Sequence, residues 1–285
     1  MTVPAFAVWV DGRLSRPGEA TVPFFDRGAH GGEGLFETFR VRRGRVFRWH
    51  RHLERLVLSA AELGFPVAPA PAALETALAE VVAANRIGGE AVARVTMTRG
   101  VPGGRPTRAG VWVEAEPLEA RLWSGTRGQA ARAVISRRPF VSGLLGRHKT
   151  LSRLAYQLCR EEARAAGADE ALLVDPDGRV LEGAASNVFL VAAGRLVTPA
   201  VTLPILPGIA RAVVLEGARA LGIPVEERDV DASELERAEE LFLTNSVQEV
   251  VPVARLEDRD LPGRATGLRL AGYYRDTLER ELGRP

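Results

Sequence analysis

Of the 38 lysine and arginine residues in the chain, 37 are arginine and one, Lys149, is lysine. Arginine fills surface charge, ion pairs and phosphate contacts at least as well as lysine. It stays protonated at any relevant pH, however, and so cannot serve as an amine nucleophile. A lysine can lose its proton when buried and then attack a carbonyl carbon to form a Schiff base. The single lysine sits in LLGRHKTLSRLAY, residues 144–156, just after Gly146, where a strand-like stretch gives way to a helical one. Junctions of this kind present side chains to ligands. A solvated lysine on a turn is the plain alternative.

Other groups with chemical capacity are scattered along the chain. Glu182, in VLEGAASN, ends an apolar strand and precedes small residues. It reads either as an exposed turn carboxylate or as one that keeps a ring nitrogen protonated. LPGIAR, residues 206–211, opens a helix whose first N–H groups, at Ile209 and Ala210, make a natural phosphate site; every helix has such an end, so the pattern is weak alone. Arg55, one turn after His52 in HLERL, suits a phosphate contact or a surface ion pair. LTNSVQEV, residues 243–250, places Asn245, Ser246 and Val247 in a polar turn after an apolar strand. Several patterns are missing. His30, His50, His52 and His148 do not have the spacing of H-E-x-x-H, so no metal site is expected. No G-x-S-x-G elbow occurs. GAHGGEG, residues 28–34, lacks the Gly-Lys-Ser/Thr of a phosphate loop, and its glycines suit close packing or a tight turn.

The elements that must position these groups follow from periodicity. Residues 50–65 place Leu53, Leu56, Val57, Ala60 and Leu63 on one helical face, closed by Gly64 and Pro66. A second helix follows Pro71. Strands are expected in GLFETFRV, EAVARVTMT and VWVEAEPL. Beyond a polar stretch at 118–128, strands are expected around residues 130, 170, 180, 188, 242 and 251. Helices are expected over 151–166, where Leu151, Leu154 and Leu158 form an apolar face, after Pro207, and at the C-terminal end. Strands and helices come in runs rather than in regular βαβ alternation, which predicts an α+β fold. The expected organisation is a small domain over 1–117, a linker over 118–128 and a larger domain over 129–285.

At 285 residues, with 46% hydrophobic and 26% charged residues, the chain has the composition of an ordinary globular protein. Its formal charge of +2 is near balance, and no basic block interleaves with aromatics, so nucleic acid is not an expected partner. One cysteine, Cys159, forbids an internal disulfide and fits a reducing, cytoplasmic setting. No run of 18 apolar residues predicts a membrane span. MTVPAFAVWVDGRL reads as a strand and turn rather than a signal peptide.

Taken together, the motifs resemble the class IV aminotransferases, the fold-type IV enzymes of pyridoxal 5′-phosphate (PLP). DRGAHGGEGLFETFRV is similar to the family's D-R-G…G-D-G-x-F-E opening, with Glu33 for the usual Asp and Gly31 for a usual aromatic. HLERL, KTLSRL, LEGAASNVFLV and LPGIAR are similar to its phosphate arginine, Schiff-base lysine, pyridine-nitrogen glutamate and phosphate turn, in the family's order. The resemblance implies a two-domain, D-amino-acid-aminotransferase-like fold with PLP in the cleft, usually in a homodimer. Lys149 is then the catalytic Schiff-base residue. Arg55, Glu182, Ile209, Ala210, Ser246 and Val247 are the other cofactor contacts. Phe36, Thr38, Arg94, Arg105 and Asn245 are the substrate candidates, and Arg108 could share the role of Arg105. Within the family, KTLSRL, TRGVPGGRP and LTNSVQEVVPV resemble 4-amino-4-deoxychorismate lyases, which release pyruvate and 4-aminobenzoate. Leu154 stands where branched-chain enzymes place a tyrosine. The leading expectation is therefore that lyase. The alternative is a transaminase for D-amino acids, branched-chain amino acids or (R)-amines.

Overall fold

The computed structural model describes residues 6–66, 69–103, 109–128, 130–261 and 263–283. The chain divides into two compact units, one of Met1–Arg121 with His148–Ser152, the other of Leu122–Arg147 with Arg153–Pro285.

The first unit contains β1 (Val8–Val10), β2 (Arg13–Ser15), α1 (Arg27–Gly31), β3 (Gly34–Arg42), β4 (Arg45–Val46), α2 (Trp49–Glu62), α3 (Pro71–Ala84), β5 (Ala91–Thr98) and β6 (Val111–Pro117). Its strands form an antiparallel sheet in the order β2-β1-β6-β5-β3-β4. Alternation divides the strands into two faces. Leu35, Phe39 and Val41 of β3, Ala93, Val95 and Met97 of β5, and Val111 and Val113 of β6 pack against Leu53, Leu56 and Ala60 of α2 and Leu74, Leu78 and Val81 of α3. The even-numbered residues of β3 and β5, including Phe36, Thr38, Arg94 and Thr96, take the other face. Val57, expected on the inner face of α2, is 47% exposed. The glycine-rich stretch is not simply a turn. Asp26 caps α1 by accepting from the N–H groups of Gly28 and Ala29, and it also accepts from the Thr98 hydroxyl at 2.6 Å. A Cβ on Gly28 would lie 2.2 Å from Thr98 Cγ2, so only glycine fits there.

The second unit contains α4 (Ser124–Arg127), β7 (Ala131–Ile135), α5 (Leu154–Ala165), β8 (Glu170–Val174), β9 (Val180–Gly183), β10 (Asn187–Ala192), β11 (Arg195–Pro199), α6 (Ile209–Ala220), β12 (Val225–Arg228), α7 (Ala232–Arg237), β13 (Glu240–Asn245), β14 (Glu249–Leu256), β15 (Arg259–Asp260) and α8 (Ala265–Leu282). Its sheet runs β12-β11-β10-β13-β14-β7-β8-β9, with β15 paired to β14. The pairs β11–β12, β14–β7 and β7–β8 are parallel and the others antiparallel. The α+β expectation therefore describes both units.

The structure differs from the sequence expectations around Lys149 and α5. Residues 148–152 group with the first unit, because their backbone pairs with β3: Phe36 N–H donates to Lys149 C=O and Leu151 N–H to Gly34 C=O, each at 2.8 Å. The helix expected to begin at 151 accordingly starts at Leu154. The leucines expected to form the inner face of α5 also face outward, Leu154 being 73% and Leu158 38% exposed; Tyr156, Cys159 and Ala163 are buried instead. Among the described residues no helix is long and apolar enough to cross a membrane.

Candidate active site

In the first unit, Lys149 runs as an extended residue beside β3, next to the isolated bridge formed by Leu35 and Thr150. That register makes Lys149 a cross-strand neighbour of Phe36. Its Nζ lies 4.7 Å from the Phe36 ring centroid, and the guanidinium carbon of Arg94 lies 3.9 Å from the same centroid. The sheet register pairs Thr38 with Arg94, so Thr38 belongs to the same face. Arg94 also donates from Nε to Thr96 Oγ1 at 3.2 Å. Phe36, Thr38, Arg94 and Lys149 are thus brought together. Arg105 and Arg108 lie outside the described residues.

Arg55 belongs to the helix-covered face. His52 and Arg55 are one turn apart on α2, so both side chains reach one point on the sheet. That point is Glu37, an inward-facing carboxylate that is 1% exposed. Arg55 donates from Nε to Oε1 at 2.8 Å and from Nη2 to Oε2 at 2.7 Å. His52 Nδ1 lies 2.7 Å from Oε2. Burial alone would raise the Glu37 pKa, but the Arg55 charge and the His52 hydrogen bond prevail and lower it from 4.5 to about 2. His52 is lowered, mainly by its own burial, which keeps the ring neutral and assigns the Nδ1 proton to the Glu37 bond. Arg55 is therefore one side of a buried ion pair. A guanidinium carries five donors, so this geometry is compatible with an additional phosphate contact. Neither Glu37 nor the His52 contact was read from the sequence. An acidic residue inside an otherwise alternating apolar strand was the available signal.

In the second unit, Glu182 ends β9 and is 5% exposed. Its Oε2 accepts from Leu206 N–H at 3.1 Å and from Asn187 Nδ2 at 3.3 Å, and the Tyr156 hydroxyl lies 3.5 Å from Oε1. Asn187 Nδ2 also donates to Leu206 C=O at 2.9 Å, locking the LPGIAR turn to β10. A Cβ on Gly208 would fall 1.9 Å from Asn187 Oδ1, which explains the glycine there. After that turn α6 starts with Ile209 and Ala210 buried and with no side-chain cap at Gly208. A buried helix start lacking a side-chain cap is the kind of end that a bound anion satisfies.

The 245–248 turn is held by Asn245. Its Oδ1 accepts from Val247 N–H at 2.9 Å and Gln248 N–H at 2.7 Å, and its Nδ2 donates to Ala185 C=O at 3.0 Å. Asn245, expected as a substrate contact, shapes the turn, and the N–H of Val247, expected at the cofactor, donates to Asn245 Oδ1. Ser246 remains at the turn, partly buried. Thr244, just before it, has a buried hydroxyl with no hydrogen-bond partner among the described residues. Glu182, the uncapped start of α6 and this orphaned hydroxyl are a donor and acceptor set that fits a phosphorylated pyridine.

Residues 34–256 match the family described as amino-transferase class IV. The chain belongs to that family, whose enzymes are PLP-dependent aminotransferases. A D-alanine aminotransferase of Bacillus licheniformis is 32% identical over 263 residues, covering 91% of this chain and 92% of its own. The branched-chain aminotransferase of Thermoproteus uzoniensis, solved with norvaline, superposes with a TM-score of 0.84 at 32% identity, covering 97% of this chain and 96% of its own. A hypothetical aminotransferase from Mycobacterium tuberculosis in its PLP-bound form gives a TM-score of 0.85 at 28% identity, covering 96% and 99%. These names favour the transaminase alternative. The lyase expectation, drawn from short motifs such as KTLSRL, is not supported by them.

Proposed function

We propose that the protein is a PLP-dependent transaminase that moves the amino group of an aliphatic amino acid to a 2-oxo acid. The observation that carries this reading is the shared face of β3 and β5, where the Lys149 amine and the Arg94 guanidinium both lie against the Phe36 ring. A cation near the reactive amine suits a carboxylate-bearing donor, and the aromatic ring suits an aliphatic side chain.

Bound PLP supplies an aldehyde that takes up the amino group and a ring that accepts electrons from the substrate α-carbon. Lys149 would hold that aldehyde, and its amine would carry the α-proton. Glu182 would hold positive charge on the ring nitrogen. The Ile209 and Ala210 N–H groups and the Ser246 hydroxyl, and by the family resemblance Arg55, would hold the phosphate. Thr38 and Phe36 line the substrate side. The reading includes a homodimer, supported by large apolar side chains exposed in each unit, Phe24 and Phe25 in the first and Val141, Leu144 and Leu154 in the second. Light scattering should give twice the 30.7 kDa chain mass.

The experiment is a donor screen with D-alanine, L-valine, L-leucine and L-norvaline, each with 2-oxoglutarate. Loss of the cofactor's visible band on donor addition, followed by formation of glutamate, is expected for at least one aliphatic donor. Conversion of none, together with release of 4-aminobenzoate from aminodeoxychorismate, would overturn the reading.

A further inference from the structure

Tyr156 is a buried phenol to which the proposed function gives no task. Three contacts fix it within the second unit. Its ring meets Phe140 edge-on, with centroids 4.5 Å apart. The guanidinium carbon of Arg153 lies 3.4 Å from its centroid, and Arg153 is anchored in turn by Nη2 donating to Ala184 C=O at 2.9 Å. The hydroxyl points to Glu182 Oε1 at 3.5 Å. Asn187 and Leu206 both address Oε2, so the phenol serves the oxygen that those two do not. Burial, followed by the Glu182 charge, pushes the Tyr156 pKa far up, although Arg153 opposes this. The hydroxyl therefore stays a proton donor across the working pH range. At 3.5 Å the bond is weak by length, but it acts on a charged acceptor away from water, where such bonds count for more.

We infer that Tyr156 is a positioning residue: clamped by Phe140 and Arg153, it fixes the orientation of the Glu182 carboxylate and steadies it as the partner of the cofactor's ring nitrogen. This rests on the assignment of Glu182 to that nitrogen. Without the phenol the carboxylate becomes the stronger base, and the shared proton moves towards it and away from the ring. Leu154 and Leu158, the residues that made this helix look amphipathic in sequence, lie outside the network.

The test uses the holoenzyme loaded with PLP carrying ¹⁵N at the ring nitrogen, compared by NMR for wild type, Tyr156→Phe and Glu182→Gln. The Tyr156→Phe resonance should lie part-way from the wild-type position towards that of Glu182→Gln. The PLP dissociation constant should rise about threefold, the scale of one modest hydrogen bond, and binding of inorganic phosphate should not change. If Glu182→Gln moves the resonance while Tyr156→Phe leaves both resonance and affinity at wild-type values, the role of Tyr156 is overturned and the Glu182 assignment stands. If Glu182→Gln does not move the resonance, the Glu182 assignment falls and the inference with it. Arg153→Met, which removes the clamp without opening a core cavity, provides a second variant should Tyr156→Phe fold poorly. It should give the same part-way displacement, and none would overturn the inference.

Discussion

Two buried carboxylates, Glu37 in the first unit and Glu182 in the second, are held in different ways. In the first, Glu37 is neutralised by charge, with the Arg55 guanidinium gripping both of its oxygens and His52 adding a third bond. In the second, Glu182 takes hydrogen bonds from an amide side chain, a backbone N–H and a phenol. The Glu37 charge is matched by the Arg55 guanidinium and ties α2 to β3, whereas the proposed function gives Glu182 a ligand to face. The contrast can be broken residue by residue.

The largest effect is expected at Lys149. Lys149→Ala should fold normally and lose transamination by at least about 10³-fold, the scale for removing a positioned proton-transfer group, as read by donor-dependent glutamate formation. Glu182→Gln comes next, with kcat reduced about 10²–10³-fold, as for loss of one preorganised electrostatic contact. Its thermal unfolding should change little, because an amide still packs among the same partners. Glu37→Gln should show the reverse pattern: unfolding free energy lower by about 3–5 kcal/mol, because a buried charge pair is broken from one side, with the effect on kcat secondary. If Glu37→Gln left stability intact while Glu182→Gln unfolded the protein, the distinction would fail.

A pH series sharpens the same contrast. Glu37 titrates at about 2 in the folded protein against an ordinary 4.5. Its folded-state pKa is depressed, so its stabilisation is present above the ordinary carboxylate range and is lost as pH falls from about 4.5 towards 2. That gap corresponds to about 3 kcal/mol. Urea unfolding of wild type and Glu37→Gln should therefore converge as pH falls through this window. The smallest expected effect is at Gly208. Gly208→Ala would push a methyl into Asn187 Oδ1, costing about 1–3 kcal/mol as an overpacked site and weakening PLP binding, which equilibrium dialysis would read.

Much of this was legible in the sequence. The strands of the first sheet were visible because β3 and β5 alternate in large part, Glu37 on the inner face being the exception. The α6 start was visible because Pro207 and Gly208 punctuate it. Lys149 stood out because the chain uses arginine everywhere else. What was hidden depended on pairings distant in sequence. Nothing local indicates that residues 148–152 pair with β3. The leucine spacing at 151, 154 and 158 satisfied helical periodicity yet faces outward, because periodicity identifies a stripe but not what covers it. The turn-shaping bonds of Asn245 were hidden because a turn bound by its own side chain and a turn that binds substrate have the same composition. Glu37 and Tyr156 were passed over because their meaning lies in their neighbours, His52 and Arg55 for one and Arg153 and Glu182 for the other.

The central claim is that the Lys149 amine is the group that joins the cofactor. Because the chain has no other lysine, borohydride reduction of the PLP-loaded protein followed by peptide mass mapping gives an unambiguous answer. A phosphopyridoxyl mass on the peptide containing Lys149, absent from Lys149→Ala, is the predicted result. An unmodified Lys149 peptide from the loaded, reduced protein would contradict the account.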